Sequence, residues 1–247
     1  MTGKKIATHL DVIAQWTRAG AGFSAHPAGT SPDLERLLLA TARTASGNSR
    51  LFIMAASWLC RYGSLIAKHR LKRLIVDELE PHFRPVLGLL LDTVRQWTGA
   101  SRFNAAIAVC DPADTPRPLF EIECANAAFK RLAEARASDI SRRWNLWAPE
   151  FEPNLDALRP ASWIMRMNPD YQERARLKGD LRSSLLLELK YDPQAGTSES
   201  ELARRCGAER AAIRAALADL ELAGRIERRP EQNRSRVLER RLTPHAA

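Results

Sequence analysis

The C-terminal part of the chain alternates apolar periodicity with helix breakers in an order that few folds can satisfy. Leucines at helical spacing predict an amphipathic helix over 178–191. A break at 192–196 follows, and the cap residues and acids of 197–201 are typical of a helix start. Gly207 is placed to end that second helix, because glycine readily takes the left-handed conformation common at helix C-termini.

A third helix is predicted over 208–222, with Ile213 and Leu217 on its buried face. Beyond it, two short polar segments flank a turn at 230–233, which indicates a hairpin of two strands. The order is therefore helix, helix, turn, helix and hairpin. This is the order of a winged helix.

The segment 200–228 resembles the winged helix-turn-helix regulators of bacteria. Ala203 matches the small residue where the two helices touch, Gly207 the turn glycine, and Ile213 the buried branched residue of the recognition helix. The run 216–226 is similar to the family's passage from recognition helix to wing. The resemblance extends over about 65 C-terminal residues, roughly a quarter of the chain, and it implies double-stranded DNA as partner, with the recognition helix in the major groove.

The resemblance also implies which side chains would contact DNA. Arg210 and Arg214 lie one turn apart on the recognition helix, where either could bind a guanine edge or a phosphate. Arg204 and Arg205 precede the turn and could reach the phosphate backbone. The hairpin is the most basic stretch of the chain, and a wing normally lies along phosphates or in the minor groove. The DNA contacts predicted in the hairpin are Arg225, Arg228, Arg229, Arg234 and Arg236. Exposed alanines on the recognition helix predict modest or shape-based specificity.

The rest of the chain, residues 1–176, has the periodicity of successive helices, with one plausible short strand at 103–109. The predicted fold is mainly α: a multi-helix bundle or α-solenoid-like domain over 1–176, for partner binding or dimerisation, and a winged helix-turn-helix over 177–247. A basic run at 68–73 either extends the DNA footprint or forms a solvated helix face.

Three tryptophans, Trp144, Trp147 and Trp163, lie between the two predicted domains. Buried aromatics would pack the domains together, whereas exposed ones would offer a surface for a protein partner. We favour the packing interpretation, because aromatic side chains are usually buried.

Composition supports a polyanionic partner: the formal net charge is +9 and the pI about 9.9. The four cysteines lack the spacing of a zinc site or a disulfide framework, so no metal is predicted. The N-terminal segment is too polar for a signal peptide, and the most apolar run, 51–60, is about half as long as a membrane span. We expect a cytoplasmic protein without membrane contact, associated with the nucleoid when bound to DNA.

The sequence holds no phosphate-binding loop, dinucleotide fingerprint or hydrolase motif, so neither catalysis nor a cofactor is expected. The first hypothesis is a DNA-binding transcriptional regulator, expected to be a homodimer. The alternative is an antitoxin-like or defence-operon protein whose helical domain binds another protein, with or without promoter binding; this rests on architectural analogy. A winged helix used as scaffold alone is a third possibility.

Overall fold

The computed structural model describes residues 8–192, 195–196, 198–230 and 238–242, and for 228–230 and 238–242 it describes the backbone alone. The described residues are mainly α-helical, as predicted. Among the described residues, ten α-helices precede Lys178: α1 (His9–Arg18), α2 (Leu34–Thr44), α3 (Ser49–Tyr62), α4 (Lys68–Glu78), α5 (Arg84–Thr98), α6 (Asn104–Ile107), α7 (Ala127–Arg136), α8 (Asp139–Arg143), α9 (Ala161–Met167) and α10 (Tyr171–Leu177). Three follow it: α11 (Leu181–Tyr191), α12 (Glu199–Cys206) and α13 (Arg210–Leu222).

Strand is confined to two small pairs within the described residues. Strands β1 (Arg117–Pro118) and β2 (Leu146–Trp147) pair in parallel. Strands β3 (Ile226–Pro230) and β4 (Leu238–Leu242) pair antiparallel, as expected for the strands of the predicted hairpin. Residues 231–233 of the predicted turn lie outside the described residues. The strand predicted at 103–109 is wrong: Phe103 closes a 3₁₀ turn and the following residues form α6.

The chain separates into two compact units. The first comprises Met1–Gly63 and Leu74–Gln172, and the second comprises Ser64–Arg73 and Glu173–Ala247. Helix α4 thus supplies 68–73 to the second unit and 74–78 to the first. The second unit therefore contains a segment distant in sequence from its other helices.

The first unit is a multi-helix bundle arranged about α5, which packs against α2, α3, α6 and α8. Two buried tryptophans lie in its core, with the rings of Trp16 and Trp58 edge to face at 5.4 Å. Trp16 Nε1 donates to Thr41 Oγ1 at 2.8 Å, and Trp58 Nε1 donates to the Ala19 carbonyl at 2.8 Å. Both indoles therefore bury their apolar rings with the polar N–H satisfied.

The three tryptophans singled out in the sequence all belong to the first unit. Trp144 is buried against α5, where a Cβ added at Gly88 would lie 2.2 Å from its ring, and its Nε1 donates to Asp92 Oδ2 at 3.0 Å. Trp147 and Trp163 are half-buried, and each lies near a cation, Lys130 and Arg159 respectively.

The second unit has its own apolar core, built from one face of each helix of the predicted winged helix. Helix α11 contributes Leu185 and Leu189, α12 contributes Leu202, α13 contributes Ile213, and β3 contributes Ile226. All are buried, as the three- and four-residue spacing of the sequence predicts. The predicted winged-helix fold of the C-terminal region is thereby confirmed.

The boundaries of these helices follow local chemistry. Helix α11 begins at Leu181 rather than 178, because Lys178 and Gly179 have positive φ angles of 50° and 69°. The Asp180 side chain caps it by accepting from the Ser183 amide at 3.0 Å.

None of the helices among the described residues is long and apolar enough to cross a membrane.

Candidate nucleic-acid interface

The helix-turn-helix is formed by α12, a turn at Gly207 and α13. Ser198 Oγ caps α12 by accepting from the Glu201 amide at 3.3 Å. Gly207 ends the helix with φ 59° and ψ 38°, the predicted left-handed conformation, and its amide bonds back to carbonyls of α12. The turn thus sets α13 against α12 over the buried side chains of Leu202 and Ile213.

Helix α13 leaves one face exposed to solvent. Arg210 lies exposed at its first residue, and Arg214 one turn later is also exposed. The remaining exposed residues of this face are mostly small: Ala211, Ala212, Ala215 and Ala218. Two arginines on a surface of methyl groups can approach a phosphate backbone closely, but they offer few groups that discriminate between bases.

Arg214 already has an acidic partner. Its Nε and Nη2 both donate to Glu199 Oε2, each at 3.3 Å, and so tie the recognition helix to the start of α12. The Arg214 side chain is nevertheless 62% exposed. It is therefore within reach of an external anion.

Arg204 and Arg205, both predicted to contact phosphates, bind Glu201 in the structure. Arg204 is exposed and donates to Glu201 from Nε and Nη2 at 2.9 and 2.8 Å. These hydrogen bonds, with those from Arg205, hold the pKa of Glu201 down at about 2. Glu201 is therefore charged at neutral pH and compensates both arginines.

Arg205 is more deeply placed, with a side chain 16% exposed. It donates to Glu201 at 2.7 Å and to Asp192 at 2.6 Å, and its Nη1 lies 3.5 Å from Glu188. Burial opposes the charged guanidinium, but the bonds to Glu201 and Asp192 outweigh it and raise the Arg205 pKa. Three carboxylates thus surround the Arg205 side chain, which is only partly exposed.

The wing carries arginines on both strands. Arg228 pairs with Arg240 and Arg229 with Glu239 along the antiparallel ladder. At the start of the wing, Arg225 binds Glu173 at 2.8 Å. Two of the predicted DNA contacts, Arg234 and Arg236, lie outside the described residues.

The basic run at 68–73 divides into buried and exposed residues. The Arg70 side chain is only 1% exposed, with its guanidinium 4.8 Å from the Tyr191 ring and its Nε 3.6 Å from Glu188 Oε1. Arg73 binds the same oxygen of Glu188 at 2.6 Å. Lys68 and Lys72 are exposed. The run is therefore not one solvated face, since Arg70 is buried and Arg73 is half-buried, both beside Glu188.

Of the histidines and cysteines, His69 and Cys206 lie together: His69 hydrogen-bonds the backbone of Cys206, and burial lowers the pKa of His69. Burial raises the pKa of Cys110 and of Cys206 to about 12, so both are protonated at neutral pH. Within the part of the chain that the structure describes, no group of three or more His, Cys, Asp or Glu side chains is placed to hold a metal ion.

Sequence reasoning missed the carboxylates that bind these arginines. Glu201 lies three and four residues before Arg204 and Arg205, a helical spacing that could have revealed both ion pairs. The pairs made by Glu188 with Arg73 and by Glu199 with Arg214 join separate elements, so no local pattern gives them.

Comparison with known proteins agrees with this fold. Residues 172–232 match the family model described as the DprA winged helix domain. The match covers about a quarter of the chain and coincides with most of the second unit outside 64–73. No curated protein and no solved structure matches the chain.

Proposed function

We propose that the second unit binds double-stranded DNA as the DNA-binding domain of a transcriptional regulator. The observation that carries this proposal is the pair Arg210 and Arg214, exposed one turn apart on the second helix of a helix-turn-helix. In this fold that helix enters the major groove, and the hairpin lies beside it along the phosphates. The arginines of β3 and β4 and the net charge of +9 favour such a partner.

The composition of the recognition face favours phosphate contact over base reading. Its alanines carry no hydrogen-bonding groups, so discrimination would depend on Arg210, Arg214 and the shape of the duplex. We therefore propose binding that is strongly salt-dependent and of modest sequence preference.

The test is a fluorescence-anisotropy titration of the full chain against its own promoter fragment and a scrambled duplex, at about 50 and 200 mM salt. Binding that weakens steeply with salt and prefers the promoter supports the regulator. Equal binding to both duplexes supports DNA binding but not regulation. No binding to either at the lower salt overturns the proposal and favours a protein-interaction role for the winged helix.

Arg210→Ala is expected to weaken DNA binding about tenfold, because it removes one exposed guanidinium from the recognition helix. The anisotropy titration measures the loss, and circular dichroism should show an unchanged melting temperature. Arg182→Ala is the matched control, since it removes an exposed arginine of α11 in the same unit. An equal loss in the control would mean that binding follows net charge and not the recognition helix.

Assembly is part of the same proposal. We propose a homodimer, because paired half-sites are the usual arrangement for helix-turn-helix proteins on DNA. Light scattering on the purified chain measures this directly. A monomer at all concentrations, with and without DNA, would contradict it.

A further inference from the structure

An ion pair with Glu199 engages Arg214, one of the two exposed arginines of the candidate DNA-binding surface. Glu199 is the first residue of α12, and Arg214 lies in the second turn of α13. One carboxylate oxygen of Glu199 accepts from both Nε and Nη2 of Arg214, each at 3.3 Å. The pair therefore joins the two helices of the helix-turn-helix.

This contact uses the donors that a DNA phosphate would need. A guanidinium binds a carboxylate or a phosphate oxygen through the same N–H groups. The Arg214 side chain is 62% exposed and that of Glu199 is 24% exposed. A phosphate can reach Arg214, but it can take both donors only after the Glu199 carboxylate has left them.

The position of Glu199 at the start of α12 stabilises its negative charge beside Arg214. It lies in the first turn of α12, where the helix dipole stabilises a negative charge. The same helix end would otherwise favour a phosphate. The carboxylate thus opposes DNA in two ways: it occupies the donors of Arg214, and it places a negative charge where the phosphate backbone would approach.

We propose that Glu199 competes with DNA phosphate for Arg214 and holds the DNA affinity of the winged helix below the value that its arginines would otherwise give. The inference rests on the proposed DNA-binding function. The two arginines of the recognition helix then contribute differently to DNA affinity. Arg210 binds phosphate directly, whereas the gain from Arg214 is reduced by the cost of displacing Glu199.

Glu199→Gln is expected to tighten binding of the promoter duplex about threefold, the scale of one exposed ion pair. In an Arg214→Ala background, the same replacement should keep only the smaller gain that comes from removing a negative charge, because no guanidinium remains to be released. The four proteins form a double-mutant cycle read by fluorescence anisotropy. Circular dichroism melts of all four confirm that each is folded.

Glu209→Gln is the matched control for general charge. Glu209 is an exposed acid at the N-cap of α13, and its side chain makes no capping hydrogen bond. Any gain in DNA affinity from this replacement should be equal in the wild-type and Arg214→Ala backgrounds, since it acts only through the overall electrostatic potential of the protein.

Three results would overturn the inference while DNA binding itself is observed. A Glu199→Gln gain that is equally large without Arg214 would mean general repulsion rather than competition. A loss of affinity would mean that Glu199 positions Arg214 for DNA. An unchanged affinity, with wild-type protein that binds, would refute the inference and leave the proposed function intact. Absence of binding by every variant at low salt would refute the proposed function, and the inference with it.

Discussion

Glu188→Gln is expected to destabilise the second unit by about 3–5 kcal/mol, the cost of removing one partner from a buried ion pair. The Glu188 side chain is 2% exposed, yet Arg70, Arg73 and Arg205 all lie within 3.6 Å of its carboxylate oxygens. Glutamine keeps the volume but removes the charge. The three guanidiniums would then lose the negative charge of the Glu188 carboxylate. Water cannot compensate for this loss, because the carboxylate lies out of reach of solvent.

Urea unfolding measures this loss. All six tryptophans, Trp16, Trp58, Trp97, Trp144, Trp147 and Trp163, belong to the first unit, so their fluorescence reports on that unit. Far-ultraviolet circular dichroism reports on the helices of both. We expect the circular-dichroism midpoint to fall further than the fluorescence midpoint.

Asp219→Asn is the matched control for Glu188→Gln. It also removes one carboxylate charge from the second unit, but the Arg182–Asp219 pair is 3.8 Å apart and its side chains are 42% and 63% exposed. The expected loss is at most about 0.5 kcal/mol. If the two variants lose the same stability, the buried carboxylate does not hold the unit together.

Gly179→Ala is expected to cost about 2–5 kcal/mol, from a left-handed backbone penalty of about 1–2 kcal/mol and overpacking of about 1–3 kcal/mol. Gly179 has φ 69°, and a Cβ there would lie 2.0 Å from the Ile66 carbonyl oxygen. The obstacle is backbone, which cannot rotate aside as a side chain can. Thermal melts by circular dichroism measure the loss.

Gly207→Ala separates the two costs in Gly179→Ala. Gly207 has nearly the same conformation, φ 59°, but a Cβ there would meet nothing within 4 Å. Its loss should be the left-handed penalty alone, about 1–2 kcal/mol. Equal losses at the two glycines would show that the close approach of Ile66 to Gly179 does not constrain the second unit.

Much of the winged helix could be predicted from the sequence, because its determinants are local. Apolar spacing identified the buried faces of α11 and α13, and Gly207 was correctly placed at the end of α12. Caps, turns and periodicity act over a few residues, so they can be read without the tertiary structure. The strand predicted at 103–109 failed for the same reason, because a short apolar run fits a strand and a buried helix turn equally well.

The burial and the ion pairs of the arginines in the second unit were decided by tertiary structure. The sequence places both Arg205 and Arg214 among the predicted DNA contacts. The fold surrounds Arg205 with three carboxylates in a half-buried position, whereas it pairs Arg214 with Glu199 at the surface. It also brings Arg73 to Glu188, 115 residues away along the chain. Periodicity and composition specify which face of a helix is buried. Which charges then meet depends on how distant helices pack, and only the folded chain determines that.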